Sequence, residues 1–191
     1  MADKAADPVR ESLEKYIGQP LGSASVAPDP VNIPMIRHWV DALDDRNPVY
    51  LDQAAAEKSR FGEIVAPPAM LQAWTMGRPK IEGIAERGGA PDDMGADNAI
   101  SDLDKAGYVG TLATNSELEF ERYLRPGDVL HTAAEMSTIS ELKTTGLGKG
   151  YFVTWITTYT DDQGEVVGRQ MFRIFKFDPS TIDLSKLGAT S

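Results

Sequence analysis

An α+β fold is predicted by three observations. Apolar residues recur at helical spacing through the first part of the chain. They switch to alternation from residue 107 onward. Short turns rich in Gly, Pro and Asp separate the alternating runs. Helices that come first and antiparallel strands that come afterwards make one α+β domain over residues 1–178, with residues 179–191 as a surface extension.

The elements follow in order. Asp7-Pro8 opens a short helix with Val9, Leu13, Tyr16 and Ile17 at helical spacing, and Gly18 closes it. The prolines of QPLGSASVAPDPVN leave a loop or one irregular edge strand. Asn32 is the expected N-cap of a helix whose stripe is Ile36, Trp39, Val40 and Leu43. A third helix is expected over Gln53–Arg60. Pro67-Pro68 start a fourth, AMLQAWTMG, with Met70, Ala73 and Trp74 on one face. From Arg78 to about Lys105 the chain is polar and rich in Gly, Asp and Ala, which does not suit a packed core helix; a short helix near Ile81–Glu86 is the most it suggests. Strands are expected over Gly107–Glu121, Val129–Ile139, Tyr151–Thr160 and Glu165–Phe177, with RPGD, TTGLGKG and DDQG as the turns between them.

Composition narrows the function. The chain has 191 residues, 41% hydrophobic and 25% charged, enough for a core without staples. It contains no cysteine, which excludes disulfides, thiolate metal sites and a cysteine nucleophile. With 19 basic against 29 acidic side chains the formal net charge is −10, which opposes nucleic-acid binding. The N-terminus lacks the apolar stretch of a signal peptide, and no apolar run approaches the roughly 20 residues of a membrane span. A soluble cytoplasmic protein is expected, with no nucleic-acid and no membrane partner.

Three segments, in order, carry a family resemblance: DDRNPVYLD at 44–52, FGEIVAPPAML at 61–71, and YLRPGDVL at 123–130 followed by a long hairpin ending in DQGEVV. Together they resemble the MaoC-like enoyl-CoA hydratase family over roughly residues 5–178. That resemblance implies a hot-dog fold, in which a curved antiparallel sheet wraps a central helix beginning in the second segment. GYVGTLATNSELEFE and the polar stretch before it are similar to the larger subunits of actinobacterial heteromeric hydratases acting on the cholesterol side chain. Those subunits continue into a small zinc-ribbon domain. A ribbon needs cysteines and these residues contain none, so either a C-terminal domain has been removed from a longer chain or this is a relative without one.

The family's active motif is D-x-N-P-x-H. Asp45, Asn47 and Pro48 stand in place here, but Tyr50 occupies the histidine position. Hydration of a conjugated thioester needs a base to activate water and an acid to protonate Cα. An imidazole exchanges protons near neutrality, whereas a phenol with a pKa of about 10 is a poor base. Active members also offer a glycine N–H at the start of the central helix to the thioester carbonyl. This chain has Ala66-Pro67-Pro68 there, and proline has no N–H. Base and oxyanion donor are impaired together, so no catalytic residue is expected in this chain. Ala66, Pro67, Met70 and Trp74 are the candidate substrate-binding residues.

Each feature has a plainer reading beside it. Asp44 and Asp45 are a retained carboxylate pair, or turn residues before Asn-Pro. His38 and His131 fall at no motif position and make no metal site. Met70, Trp74 and Met76 are core residues by default, or pocket residues if the central helix flanks an acyl tunnel. Gly146, Gly148 and Gly150 suit a hairpin turn better than a phosphate loop. Arg122, Arg125, Lys143 and Lys149 are CoA-phosphate contacts or solvated surface charges.

The resemblance implies a non-catalytic, pocket-forming subunit of a hetero-oligomeric enoyl-CoA hydratase with a bulky, steroid-like acyl substrate. The partner is a second MaoC-like chain carrying the Asp/His pair; CoA enters only as part of the substrate, with no separate cofactor and no metal. Two alternatives stay open: a self-sufficient homodimeric hydratase or thioesterase, and a non-enzymatic acyl-CoA-binding protein.

Overall fold

The computed structural model describes residues 7–76, 81–83 and 97–182. Short helices come first: α1 (Pro8–Leu13), α2 (Ile33–Leu43) and α3 (Gln53–Glu57), with the two-residue strand β1 (Ser25–Val26) between α1 and α2. Then follow α4 (Ala99–Lys105) and β2 (Gly110–Phe120), β3 (His131–Ile139), β4 (Lys143–Thr145), β5 (Gly148–Thr160) and β6 (Val166–Asp178). Among these residues no helix is long and apolar enough to cross a membrane.

The helix starts are local chemistry. The Asp7 carboxylate accepts from the Arg10 N–H at 3.0 Å and opens α1, and the Asn32 side chain accepts from the Met35 N–H at 2.9 Å and opens α2. Ile36 and Val40 bury the inner stripe of α2, whereas Leu43 lies exposed beyond it. α3 ends at Glu57, three residues before the expected Arg60.

All strand pairs are antiparallel, in the order β1-β3-β5-β6-β2, with β4 beside β5 as a hairpin arm. TTGLGKG is therefore the turn of a hairpin, as expected. Register shifts at 113/115 in β2, at 136/138 in β3 and next to Thr160 bend the sheet, because a bulged strand must curve away from its partner. Both main apolar clusters include residues of β5 and β6 and lie towards opposite ends of β5, around Tyr159 and Tyr151.

The first cluster is built on the central segment 66–76. It does not form the continuous α-helix expected from Pro67-Pro68. It makes two successive 3-10 turns, Pro68–Met70 and Ala73–Thr75, held by N–H to carbonyl bonds three residues apart. Gly168 permits their approach to the sheet: a Cβ there would stand 2.7 Å from both a Leu71 methyl carbon and the Glu119 carbonyl oxygen.

The second cluster holds the main departure from expectation. Residues 99–105, inside the stretch judged too polar for a core helix, form α4 and bury Ala99, Ile100 and Leu103 against Leu13, Met136, Tyr151, Val153 and Ile174. Composition averaged over the stretch hides three apolar residues at helical spacing behind a capping box, in which Asn98 accepts from the Ile100 and Ser101 N–H groups. Ile81–Gly83 is not helical. The rest of the expected Ile81–Glu86 helix, and most of the polar stretch from Arg78, lie outside the described residues.

Candidate functional site

The degenerate motif folds as a chain of Asx turns. α2 ends with Asp44 in the left-handed region, at φ 52°, a conformation a short polar side chain tolerates. The Asp45 N–H then donates to the Val40 carbonyl at 2.8 Å. The Asp45 carboxylate accepts from the Asn47 N–H at 3.0 Å, and the Asn47 side chain accepts from the Val49 N–H at 3.2 Å. These bonds hand the chain into a 3-10 turn, Pro48–Tyr50, that carries Tyr50 inward to 8% exposure. Asp45 thus does the structural work of its turn, whatever else it does.

Tyr50 packs in the same cluster as Ala66, Met70 and Trp74. Burial first, and then the neighbouring Tyr123 and Asp45, raise its pKa above that of an ordinary phenol. It is a neutral hydroxyl at physiological pH, and among the described residues no hydrogen bond engages it. The Ala66 N–H is spent on the Leu124 carbonyl at 2.8 Å, and Pro67 and Pro68 have none to offer. Residues 66–68 therefore have no free backbone N–H.

Ala66, Pro67, Met70 and Trp74 are all buried. The opposite face of the same segment, Gln72, Thr75 and Met76, lines a cavity of about 290 Å³ together with Trp155, Thr157, Tyr159, Gln170 and Phe172 of β5 and β6. Of these cavity residues only Met76 was singled out from the sequence. The signal that would have found them is strand parity: Gln170 shares its face with Phe172 and Ile174, so an amide had to point inward.

Two of the four expected cationic residues are engaged. Arg122 donates to Asp128 at 2.6 Å and to Asp161 at 2.9 Å, and Arg125 pairs with Glu63 at 3.1 Å. Around them lies a cavity of about 470 Å³ whose walls carry more acidic side chains (Asp128, Asp161, Glu165) than basic ones (Arg122, Arg125). Lys143 and Lys149 are exposed on the hairpin, His38 is exposed on α2, and His131 contacts Asp162 at 2.8 Å.

A bent antiparallel sheet packed on a short central segment, with the motif turn delivering Tyr50 into the same cluster, is the arrangement of a hot-dog dehydratase. Residues 16–170 match the family described as FAS1-like, dehydratase domain region, and the chain belongs to the MaoC-like hot-dog dehydratases. It is 43% identical over 168 residues to a protein of Thermomonospora curvata named probable enoyl-CoA hydratase alpha subunit, an alignment covering 87% of this chain and 51% of that one. It is 41% identical over 155 residues to the 3-oxo-4,17-pregnadiene-20-carboxyl-CoA hydratase alpha subunit of Mycobacterium tuberculosis, covering 81% and 47% respectively. The chain thus spans about half the length of these curated relatives. Among solved structures, a chain of the ChsH1–ChsH2 complex from Mycobacterium tuberculosis is similar with a TM-score of 0.72 and 37% identity, covering 90% of this chain and 92% of that chain.

Proposed function

We propose that this chain is the non-catalytic, acyl-pocket-forming subunit of a hetero-oligomeric enoyl-CoA hydratase, which adds water to 2-enoyl-CoA thioesters bearing a bulky, steroid-like acyl group. The partner is a second MaoC-like chain that brings the Asp/His pair and the working oxyanion donor. The observation that carries this reading is the double defect in one apolar cluster. A buried neutral Tyr50 stands at the base position, and the backbone at 66–68 has no free N–H to polarise a carbonyl. Its relatives are named as alpha subunits of enoyl-CoA and steroid-CoA hydratases, and a structural neighbour comes from a two-protein complex, which supports both the substrate class and the need for a partner.

The buried residues Ala66, Pro67, Met70 and Trp74 back the wall against which the acyl group lies, and the side of the segment facing the 290 Å³ cavity meets it directly. The test is a hydration assay with crotonyl-CoA and with a steroid enoyl-CoA, using the purified chain and then the chain with its partner. Turnover only in the mixture is the expected result. Robust hydration by the chain alone would falsify the division of labour.

A further inference from the structure

Between the two apolar clusters the concave face carries a polar band. Inward positions along β5 run Tyr151, Val153, Trp155, Thr157, Tyr159, and their partners along β6 run Lys176, Ile174, Phe172, Gln170, Gly168. Gln170 is only 4% exposed, and a buried amide requires its donors and acceptor to be met. Its Oε1 accepts from the Tyr159 hydroxyl at 3.0 Å; its Nε2 donates to Ser116 Oγ at 3.0 Å and to Gln72 Oε1 at 3.3 Å.

This network orients Gln72. With its oxygen committed to Gln170, the Gln72 amide nitrogen has no partner among the described residues, and Gln72 lines the cavity. Across the cavity stand the Trp155 and Phe172 rings, with centroids 5.1 Å apart. No lining residue is charged, so a charged group brought inside would have no counter-ion. The volume, about 290 Å³, lies at the small end of the range for small-molecule sites.

We propose that this cavity selects an apolar tail bearing an uncharged acceptor oxygen, such as a ring ketone. Gln72 is the specificity-determining donor, and Gln170 and Tyr159 are its positioning residues. The assignment rests on reading the cavity as the acyl pocket. It goes further by stating which chemical group on the tail is recognised and by which atom.

The test uses binding, so it needs neither the partner nor turnover. The chain is titrated calorimetrically with an oxo-cholanoic acid and with cholanoic acid, its parent without the ketone. The ketone is expected to bind about 3- to 10-fold tighter, the worth of one neutral hydrogen bond. Gln72→Leu, at an exposed position, collapses that ratio towards one. Gln170→Leu lowers it as well, because Gln72 is then free to turn. The ratio is the readout, since a mere loss of packing weakens both acids alike. Equal affinities in the unmodified chain, no binding of either acid, or an unchanged ratio in Gln72→Leu overturns the proposal. A preserved ratio with no hydration in the complex would refute the hydratase reading and leave this assignment standing.

Discussion

Lys176 on β6 donates to the Asp104 carboxylate on α4 and to the Thr111 hydroxyl on β2, although the lysine is only 2% exposed. This ion pair fastens α4 to the sheet it covers. Removing one partner of a buried pair costs more than replacing the pair by apolar groups, because the remaining charge is stranded. Asp104 itself is 44% exposed on its side chain, so water softens the cost. Asp104→Asn should destabilise the chain by about 1–3 kcal/mol. Lys176→Met, which removes the buried charge, should cost less. Urea unfolding of the two variants checks the order, and a larger loss for Lys176→Met would contradict it.

Leu103 is fully buried under α4. Leu103→Ala should therefore cost about 2–5 kcal/mol, the range for deleting a packed leucine side chain. A loss below about 0.5 kcal/mol in denaturant midpoint analysis would mean that α4 is a loosely applied cover and not part of the core.

Alkaline pH should unfold the chain through its buried phenols. Burial pushes the Tyr159 pKa up to about 12. Burial, and then hydrogen bonding with Tyr108 and Asp7, raises that of Tyr151, and burial raises that of Tyr50. Each folded value stands above the ordinary one near 10, so the folded chain keeps protons that the unfolded chain releases. This stabilisation is complete below about pH 10 and is lost as pH rises through the folded values. For Tyr159 alone the loss amounts to roughly 2 kcal/mol by pH 12. Chemical unfolding at pH 8, 10 and 11.5 should show the decline, and Tyr159→Phe should flatten it. An unaltered slope in that variant would exclude Tyr159 as a source.

Tyr50→Phe should barely change the activity of the complex. Removing the histidine that the proposal places on the partner should cost about 100- to 10,000-fold, the usual contribution of a general acid–base group. If the two substitutions cost the same in kcat, Tyr50 donates a proton in the reaction and the division of labour proposed above is wrong.

The sheet ends in β2, eleven residues long and mostly exposed, with Leu112 and Phe120 in solvent. Such an edge, with unpaired backbone groups and apolar side chains, invites pairing with another chain. Sedimentation should show a dimer of the chain alone and a heterotetramer with its partner. A stable monomer under both conditions would remove the structural basis for the shared site.

Much of this was legible in the order of residues because it is decided locally. Asp7, Asn32 and Asn47 cap their turns with their own side chains, and alternation from residue 107 onward marks the strands within a few residues of their ends. Tyr50 in place of the motif's histidine and the Ala66-Pro67-Pro68 run are likewise properties of the sequence.

Tertiary structure decided the rest, since it depends on which residues meet across long separations. Residues 99–105 are a core helix because the concave sheet offers Met136, Tyr151 and Ile174 to cover, a fact no window of composition contains. The central segment makes 3-10 turns and packs in one cluster with Ile36 and Val40 of α2 and Tyr159 of β5. Gln72 becomes a candidate donor only because β6 brings Gln170 to it from 98 positions away, after Tyr159 has fixed which way that amide faces. Hydrogen-bonding capacity is written in the residue types, but its direction is settled only when buried partners leave one atom unspent.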